Sequence, residues 1–164
     1  MAWTTPTSQT AGNVLTAAFW NAQVKGNMDV LAPFGSAWVA YNSPTQSGWS
    51  LGNGTINAKY LRVGSLCIYT GQITFGSTTS ISGSFRIGFP FAPALRNGSG
   101  LAMFMDGTTA YQGFCFVDLS IDGALLGMAR SGGASAAAYV GSTTPFTWGT
   151  GDYMTWTYTY EVTP

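Results

Sequence analysis

The C-terminal segment alternates between apolar and polar positions with a period of two. Met154, Trp156, Tyr158, Tyr160 and Val162 share one side of this pattern, whereas Tyr153, Thr155, Thr157, Thr159 and Glu161 share the other. Successive side chains of a β-strand point to opposite faces, so the pattern predicts a half-buried antiparallel strand. Similar runs, rich in aromatic and β-branched residues, occupy positions 36–41, 58–63, 65–75, 84–89, 100–105, 113–120 and 124–129.

Short clusters of glycine, asparagine, aspartate and proline separate these runs and mark turns. Examples are Gly52-Asn53-Gly54, Asn97-Gly98 and Asp106-Gly107. Eight or so strands at such short spacing predict an antiparallel β-sandwich over residues 35–164, most simply a jelly roll. The small-residue segment 131–138 is interpreted as an exposed loop that leads into a strand.

Residues 1–34 have a different pattern, in which an extended arm precedes a helix. Thr16 is a suitable N-cap because its hydroxyl can accept a free amide of the first turn, and Pro33 stops the helix. The helix is predicted over residues 17–31, with one stripe formed by Ala17, Trp20, Val24, Asn27 and Leu31.

A helix of about four turns is marginal alone in water, so this one must pack against something. It forms either a short coiled-coil stem with copies of itself or an amphipathic helix packed on another surface. Asn27 on the stripe favours the coiled coil, since a polar residue there fixes register and strand number.

Charged side chains are scarce in this chain. They make up 7% of the residues, with six Lys and Arg balanced by six Asp and Glu, and aromatic residues make up 15%. A neutral, aromatic-rich surface favours an obligate oligomer. It also argues against binding to nucleic acid or to an anionic membrane, both of which require clustered basic residues. Neither a signal peptide nor an apolar run long enough for membrane insertion is recognised.

The candidate chemistry is sparse, and we expect no catalytic, cofactor or metal site. The chain has no histidine, which removes the usual general base and the commonest metal ligand. A carboxylate pair such as Asp118 with Glu161 would be needed for glycoside hydrolysis, but the acidic residues are scattered. Cys67 and Cys115 lie within apolar runs and are interpreted as two buried thiols, with a disulfide as the alternative. The protein is therefore not expected to be an enzyme.

Four aromatic residues next to turns are candidate ligand contacts. In the loops of β-sandwiches such rings can stack on sugars, and the residues concerned are Trp49, Tyr111, Tyr139 and Trp148. The alternative is that they belong to the core or to contacts between subunits.

The N-terminal motifs resemble a known group of proteins. Trp3-Thr4-Thr5-Pro6, Ala11-Gly12 and Val14-Leu15-Thr16-Ala17-Ala18, followed by Asn21, Val24, Lys25, Asn27 and Leu31, are similar to the N-terminal signature of small tail-associated virion proteins of tailed bacteriophages, especially those of actinobacteria. Trp20, Lys25 and Gly26 depart from that signature, where leucine, arginine and aspartate are usual.

The rest of the chain also resembles the β-rich domain of this group. The matching pieces are Gly52-Asn53-Gly54-Thr55, Tyr60-Leu61-Arg62-Val63-Gly64, Thr74-Phe75-Gly76-Ser77-Thr78-Thr79, Phe89-Pro90, Pro145-Phe146-Thr147-Trp148, Gly151-Asp152 and Tyr160-Glu161.

The resemblance implies a non-catalytic homotrimer with a helical base and a jelly-roll head. Such a protein is made in the host cytoplasm, released by lysis and located in the virion. The segment Trp3, Thr4, Thr5 and Pro6 would dock on other virion proteins. Three roles follow as hypotheses: a tail-fibre or receptor-binding appendage that contacts a host-surface glycan, a capsid decoration protein, or, less favoured, a free glycan-binding lectin.

Overall fold

A computed structural model describes residues 5, 12, 14, 16–31, 38–118, 125–130 and 138–163 of the 164-residue chain. The helical segment consists of α1 at Ala17–Trp20, a π-helical turn at Asn21–Lys25 and α2 at Gly26–Leu31. The Phe19 amide donates a hydrogen bond of 3.1 Å to the Thr16 side-chain oxygen. The predicted N-cap and helix extent are therefore confirmed, whereas the π-helical turn was not foreseen.

Ten strands make up most of the described residues. They are β1 at Val39–Ala40, β2 at Gln46–Ser50, β3 at Thr55–Val63, β4 at Leu66–Thr74, β5 at Ser80–Gly88, β6 at Pro93–Asp106, β7 at Thr109–Asp118, β8 at Leu125–Arg130, β9 at Ala138–Tyr139 and β10 at Tyr153–Val162. All the pairings between them are antiparallel.

The strands form one sheet in the order β1-β3-β4-β10-β6-β7-β8-β5-β2, and β9 pairs with β8. The two ends of this order, β1 and β2, are consecutive in the chain, so the sheet must curl until its edges meet. Residues 41–45 join those edges. The Tyr41 amide donates to the Ala58 carbonyl at 2.7 Å, and the Gly88 amide donates to the Thr45 carbonyl at 2.8 Å.

The curled sheet encloses one aromatic-rich core. The predicted inward side of β10 is confirmed, since Met154, Trp156, Tyr158, Tyr160 and Val162 are all at most 2% exposed. Aromatic rings fill the interior. The ring centroids of Phe89 and Tyr160 are 4.7 Å apart, and those of Tyr41 and Tyr69 are 5.9 Å apart. The predicted fold class is confirmed as a mainly β chain with a short N-terminal helix and an antiparallel sheet that curls on itself, whereas the trimeric state stays a prediction.

Two local predictions are corrected. Strand β2 was not predicted, because Gly48, with φ at +75°, sits at a bulge that breaks the alternation expected of a strand. The expected turn at Asn97-Gly98 is wrong, because both residues lie within the long strand β6. Of the segment interpreted as an exposed loop, residues 131–137 lie outside the described residues, and β9 begins directly after them.

Candidate functional site

The outer side of the central strands carries large apolar side chains where polar ones are expected. Leu101 is 76% exposed, Met103 39% and Phe114 37%. An antiparallel sheet with one solvated face normally alternates apolar residues inside with polar residues outside. These three side chains depart from that rule on two neighbouring strands, β6 and β7.

Strand register places these residues together in two rows. In one row Thr70, Thr157, Leu101 and Phe114 are consecutive cross-strand partners on β4, β10, β6 and β7. In the next row Thr155 is paired with Met103. We call this set, Thr70, Leu101, Met103, Phe114, Thr155 and Thr157, the Leu101 face. Its residues line a hollow of about 610 Å³.

The Leu101 face is uncharged, and the hydroxyls of Thr70 and Thr157, two of its three threonines, already have hydrogen-bond partners. The Thr70 hydroxyl donates to the Trp156 carbonyl at 2.8 Å and lies 3.1 Å from the Thr157 hydroxyl. Neither the face nor the other side chains that line the hollow carry any of the chain's Lys, Arg, Asp or Glu residues. A partner can therefore cover this face without burying an unpaired charge.

Aromatic rings continue the apolar surface from β7 towards β9. The ring centroids of Phe114 and Phe116 are 6.0 Å apart, and those of Phe116 and Tyr139 are 5.2 Å apart. The Phe116 ring covers Gly127, where an added Cβ would come within 2.6 Å of it. This row links the Leu101 face to Tyr139, which is 42% exposed.

A partly buried ion pair lies at the far end of the aromatic row. Arg86 Nε lies 2.5 Å from Asp118 Oδ2, and their side chains are 15% and 5% exposed. The Tyr139 hydroxyl donates to the same carboxylate oxygen at 3.3 Å, and the Arg86 guanidinium lies 5.4 Å from the Tyr139 ring. Asp118 is thus engaged in structural contacts, whereas Glu161, considered with it as a carboxylate pair, is exposed on β10.

The four aromatic candidates occupy different environments. The expected exposure of Trp49 is wrong: its ring is 6% exposed and stacks on Phe85 at 4.5 Å. The bulge at Gly48 sets which way this residue faces, and the indole donates to the Arg86 carbonyl at 2.7 Å. Tyr139 is the most exposed of the four.

Tyr111 and Trp148 are brought together through Phe146. The Tyr111 and Phe146 rings are 5.1 Å apart, and the Phe146 and Trp148 rings are 4.4 Å apart. Trp148 also stacks on Phe75 at 4.5 Å and donates to the Gly141 carbonyl at 3.0 Å. Both candidates are half-buried at the edge of the core, which is the alternative that the sequence left open.

The helix stripe is altered by the π-helical turn. Ala17 and Trp20 are exposed, the latter by 53%, whereas Val24 is half-buried and Asn27 is 5% exposed. A π-helical turn holds more residues than an α-turn, so positions on either side of it no longer share one stripe. The turn therefore shifts the phase of Ala17 and Trp20 relative to Val24 and Asn27, and the packing of the stripe between copies stays a prediction.

Asn27 has a role within the helix. Its side-chain nitrogen donates to the Gln23 carbonyl at 3.0 Å, next to the π-helical turn. Leu31 ends the helix, and its side chain lies outside the described residues. Of the docking segment, Thr5 is exposed, and Trp3, Thr4 and Pro6 lie outside the described residues.

The two cysteines are free and buried, which confirms their interpretation as buried thiols. Burial raises the pKa of the Cys67 thiol, and burial raises the pKa of the Cys115 thiol to about 12. Such thiols stay protonated near neutral pH and act as small apolar side chains.

The sequence could have signalled the Leu101 face. Every position from Leu101 to Met105 is apolar, and this pattern indicates that both sides of the strand are apolar. A strand that is apolar on both sides is covered on both sides. The position of Phe114 beside Leu101 depends on register, which the sequence does not show.

Compared with known proteins, the chain matches no family model, no curated protein and no solved structure. Among the described residues, no three His, Cys, Asp or Glu side chains come together as a metal ion would require. The described part of the chain also contains no helix with the length and apolar character of a membrane span.

Proposed function

We propose that this chain is a non-enzymatic structural protein of a bacteriophage virion, a homotrimeric surface appendage of the tail-fibre or receptor-binding type. The observation that carries the proposal is the Leu101 face, an uncharged apolar surface on the outside of a β-rich head. A head of this kind suits a protein that works as an assembly of copies. The motif resemblance at the N-terminus and through the head supplies the virion context.

The contact with the host surface is assigned to the head. Tyr139 offers an exposed ring held in place by Phe116, Arg86 and Asp118. An exposed ring that its neighbours hold in place can stack on the apolar side of a sugar. Host-surface glycan is therefore the ligand class expected for the receptor-binding role.

Capsid decoration is the second candidate, and the exposed apolar side chains of the helix provide a surface for attachment to the shell. Trp20 is 53% exposed and Met28 is 64% exposed. A short helix with such residues at its surface can dock on another protein, as an attachment to the shell requires. The same surface would serve for docking on a tail.

The copy number per virion tests the proposal and separates the two roles. Quantitative mass spectrometry of purified particles of a phage that encodes this chain would compare it with the major capsid protein. We expect a few copies to a few dozen, which corresponds to a tail location. Hundreds of copies would place the protein on the shell, and its absence from purified particles would overturn the virion proposal.

A further inference from the structure

We propose that the Leu101 face is the contact through which the heads of identical chains pack together, so that its occupant is a second copy of this chain. The inference deepens the proposed function and rests on its homo-oligomeric state. It assigns the packing of the heads to β4, β10, β6 and β7, separately from any contact made by the helix.

The first step is the grouping of the exposed apolar residues. A single exposed leucine is ordinary on a protein surface. Leu101 and Phe114 are direct cross-strand partners, however, and Met103 follows Leu101 on the same side of β6. Contiguous apolar surface of this kind marks an interaction site.

The second step is shape. Leu101, 76% exposed, stands beside a hollow of about 610 Å³ whose other side is lined by the short side chains of Thr70, Thr155 and Thr157. A second copy brings the same projection and the same hollow. Leu101 and Phe114 of one copy can therefore enter the hollow of the next, as happens in contacts that repeat around a symmetry axis.

The third step is charge, which favours a second copy as the occupant. Identical copies carry identical charges, so a charged residue near a symmetry axis would face its own counterpart and be repelled, whereas an uncharged face meets no such repulsion. The Leu101 face has no charged residue, and the whole chain has a net charge of zero. Nucleic acid and anionic membranes would instead need basic side chains at this place.

The fourth step is the low cost of removing water. The hydroxyls of Thr70 and Thr157 lie 3.1 Å apart, and Thr70 also bonds the Trp156 carbonyl at 2.8 Å. These groups keep their hydrogen bonds when the face is covered. Burial is costly mainly for polar groups that lose their partners, so the face is suited to a dry contact.

The test compares the same substitution at two exposed leucines. Leu101→Lys places a charge in the contact, whereas Leu66→Lys places it on the same side of the sheet, at the start of β4 and away from the hollow. Leu66 is 42% exposed. Light scattering at micromolar concentration, with circular dichroism to verify folding, would measure the mass of each protein. We expect an oligomer for the wild-type chain and for Leu66→Lys, and at least about tenfold weaker association for Leu101→Lys.

A labelling experiment covers the case in which Leu101→Lys does not fold. The chain has only two cysteines, both buried, so Leu101→Cys and Leu66→Cys each add one exposed thiol. In the assembled protein we expect a maleimide to label Cys at position 101 at least about tenfold more slowly than at position 66, because a neighbouring copy covers it.

Three results would overturn the inference: a monomeric wild-type chain, equal association of Leu101→Lys and the wild type, or labelling at position 101 that is as fast as or faster than at position 66. If Leu101→Lys keeps the oligomer while the copy number still places the chain in the virion, this inference fails and the proposed function stands.

Discussion

At the scale of single residues, the interior of the sheet favours neutral side chains. Cys115 is 4% exposed, and burial raises its pKa from the ordinary value of 9.0 to about 12. Burial also raises the pKa of Tyr69 and Tyr160 above that of a free phenol. Each of these groups holds its proton more tightly in the folded chain than in the unfolded one.

The free energy of unfolding is therefore expected to fall as the pH rises above about 9. Because its folded pKa is raised, Cys115 contributes stability that is fully present below 9 and is lost as the pH rises towards 12. One such group changes the free energy by at most about 1.4 kcal/mol per pH unit. Urea denaturation at pH 8, 9 and 10 would measure the slope.

The variant Cys115→Ala serves as the comparison for this prediction. It loses packing at every pH, but its stability should fall less steeply with pH than that of the wild type. The free energy of unfolding of the variant still decreases with pH, because Tyr69 and Tyr160 also have raised pKa values. Equal slopes for the two proteins would contradict the role given to Cys115.

At the scale of elements, the packing of the Trp156 indole between neighbouring strands depends on a glycine at position 71. Gly71 is the cross-strand partner of Trp156, and a Cβ added at Gly71 would lie 2.5 Å from the indole and 2.8 Å from Ala58 Cβ. The indole is 2% exposed. The missing side chain at Gly71 on β4 leaves the room that the Trp156 indole on β10 occupies beside Ala58 on β3.

Gly71→Ala is expected to destabilise the protein by about 2 kcal/mol, because overpacking a filled core forces strands or rings to shift. Gly141→Ala is the matched control, since nothing lies within 4 Å of a Cβ added there. We expect that control to stay within about 0.5 kcal/mol of the wild type in chemical denaturation. Equal effects of the two variants would show that the indole yields to the added methyl group.

At the scale of the whole molecule, the two contacts proposed for assembly lie on separate parts of the chain, the helix and the head. Val24 is half-buried on the helix, whereas the Leu101 face lies on the outer side of the sheet. If copies assemble through both, each contact can be weakened alone. Mass measured for variants in either place then shows which contact holds the copies together.

Val24→Asp is expected to weaken the assembly by bringing like charges together along the helices. Ala22→Asp adds the same charge at an exposed position of the same helical turn and should leave the mass unchanged. Light scattering at micromolar concentration would compare both variants with the wild type. An unchanged mass for Val24→Asp would mean that the head alone holds the copies together.

The amino-acid sequence by itself determined the features that depend on neighbouring positions. The alternation of Met154 to Val162 fixed which side of β10 is buried, because side-chain direction in a strand has a period of two. Thr16 determined the start of the helix, because its side chain accepts a hydrogen bond from the amide of Phe19, only three residues later. The apolar runs around Cys67 and Cys115 were sufficient to predict buried thiols.

Only the tertiary structure decided the features that depend on insertions or on distant partners. One bulge at Gly48 orients Trp49 towards the core, and one π-helical turn changes the helical phase between Trp20 and Val24. Such shifts break the period from which a sequence is interpreted. The Leu101 face exists because β10 lies between β4 and β6, and the chain makes that pairing only when residues far apart in sequence meet.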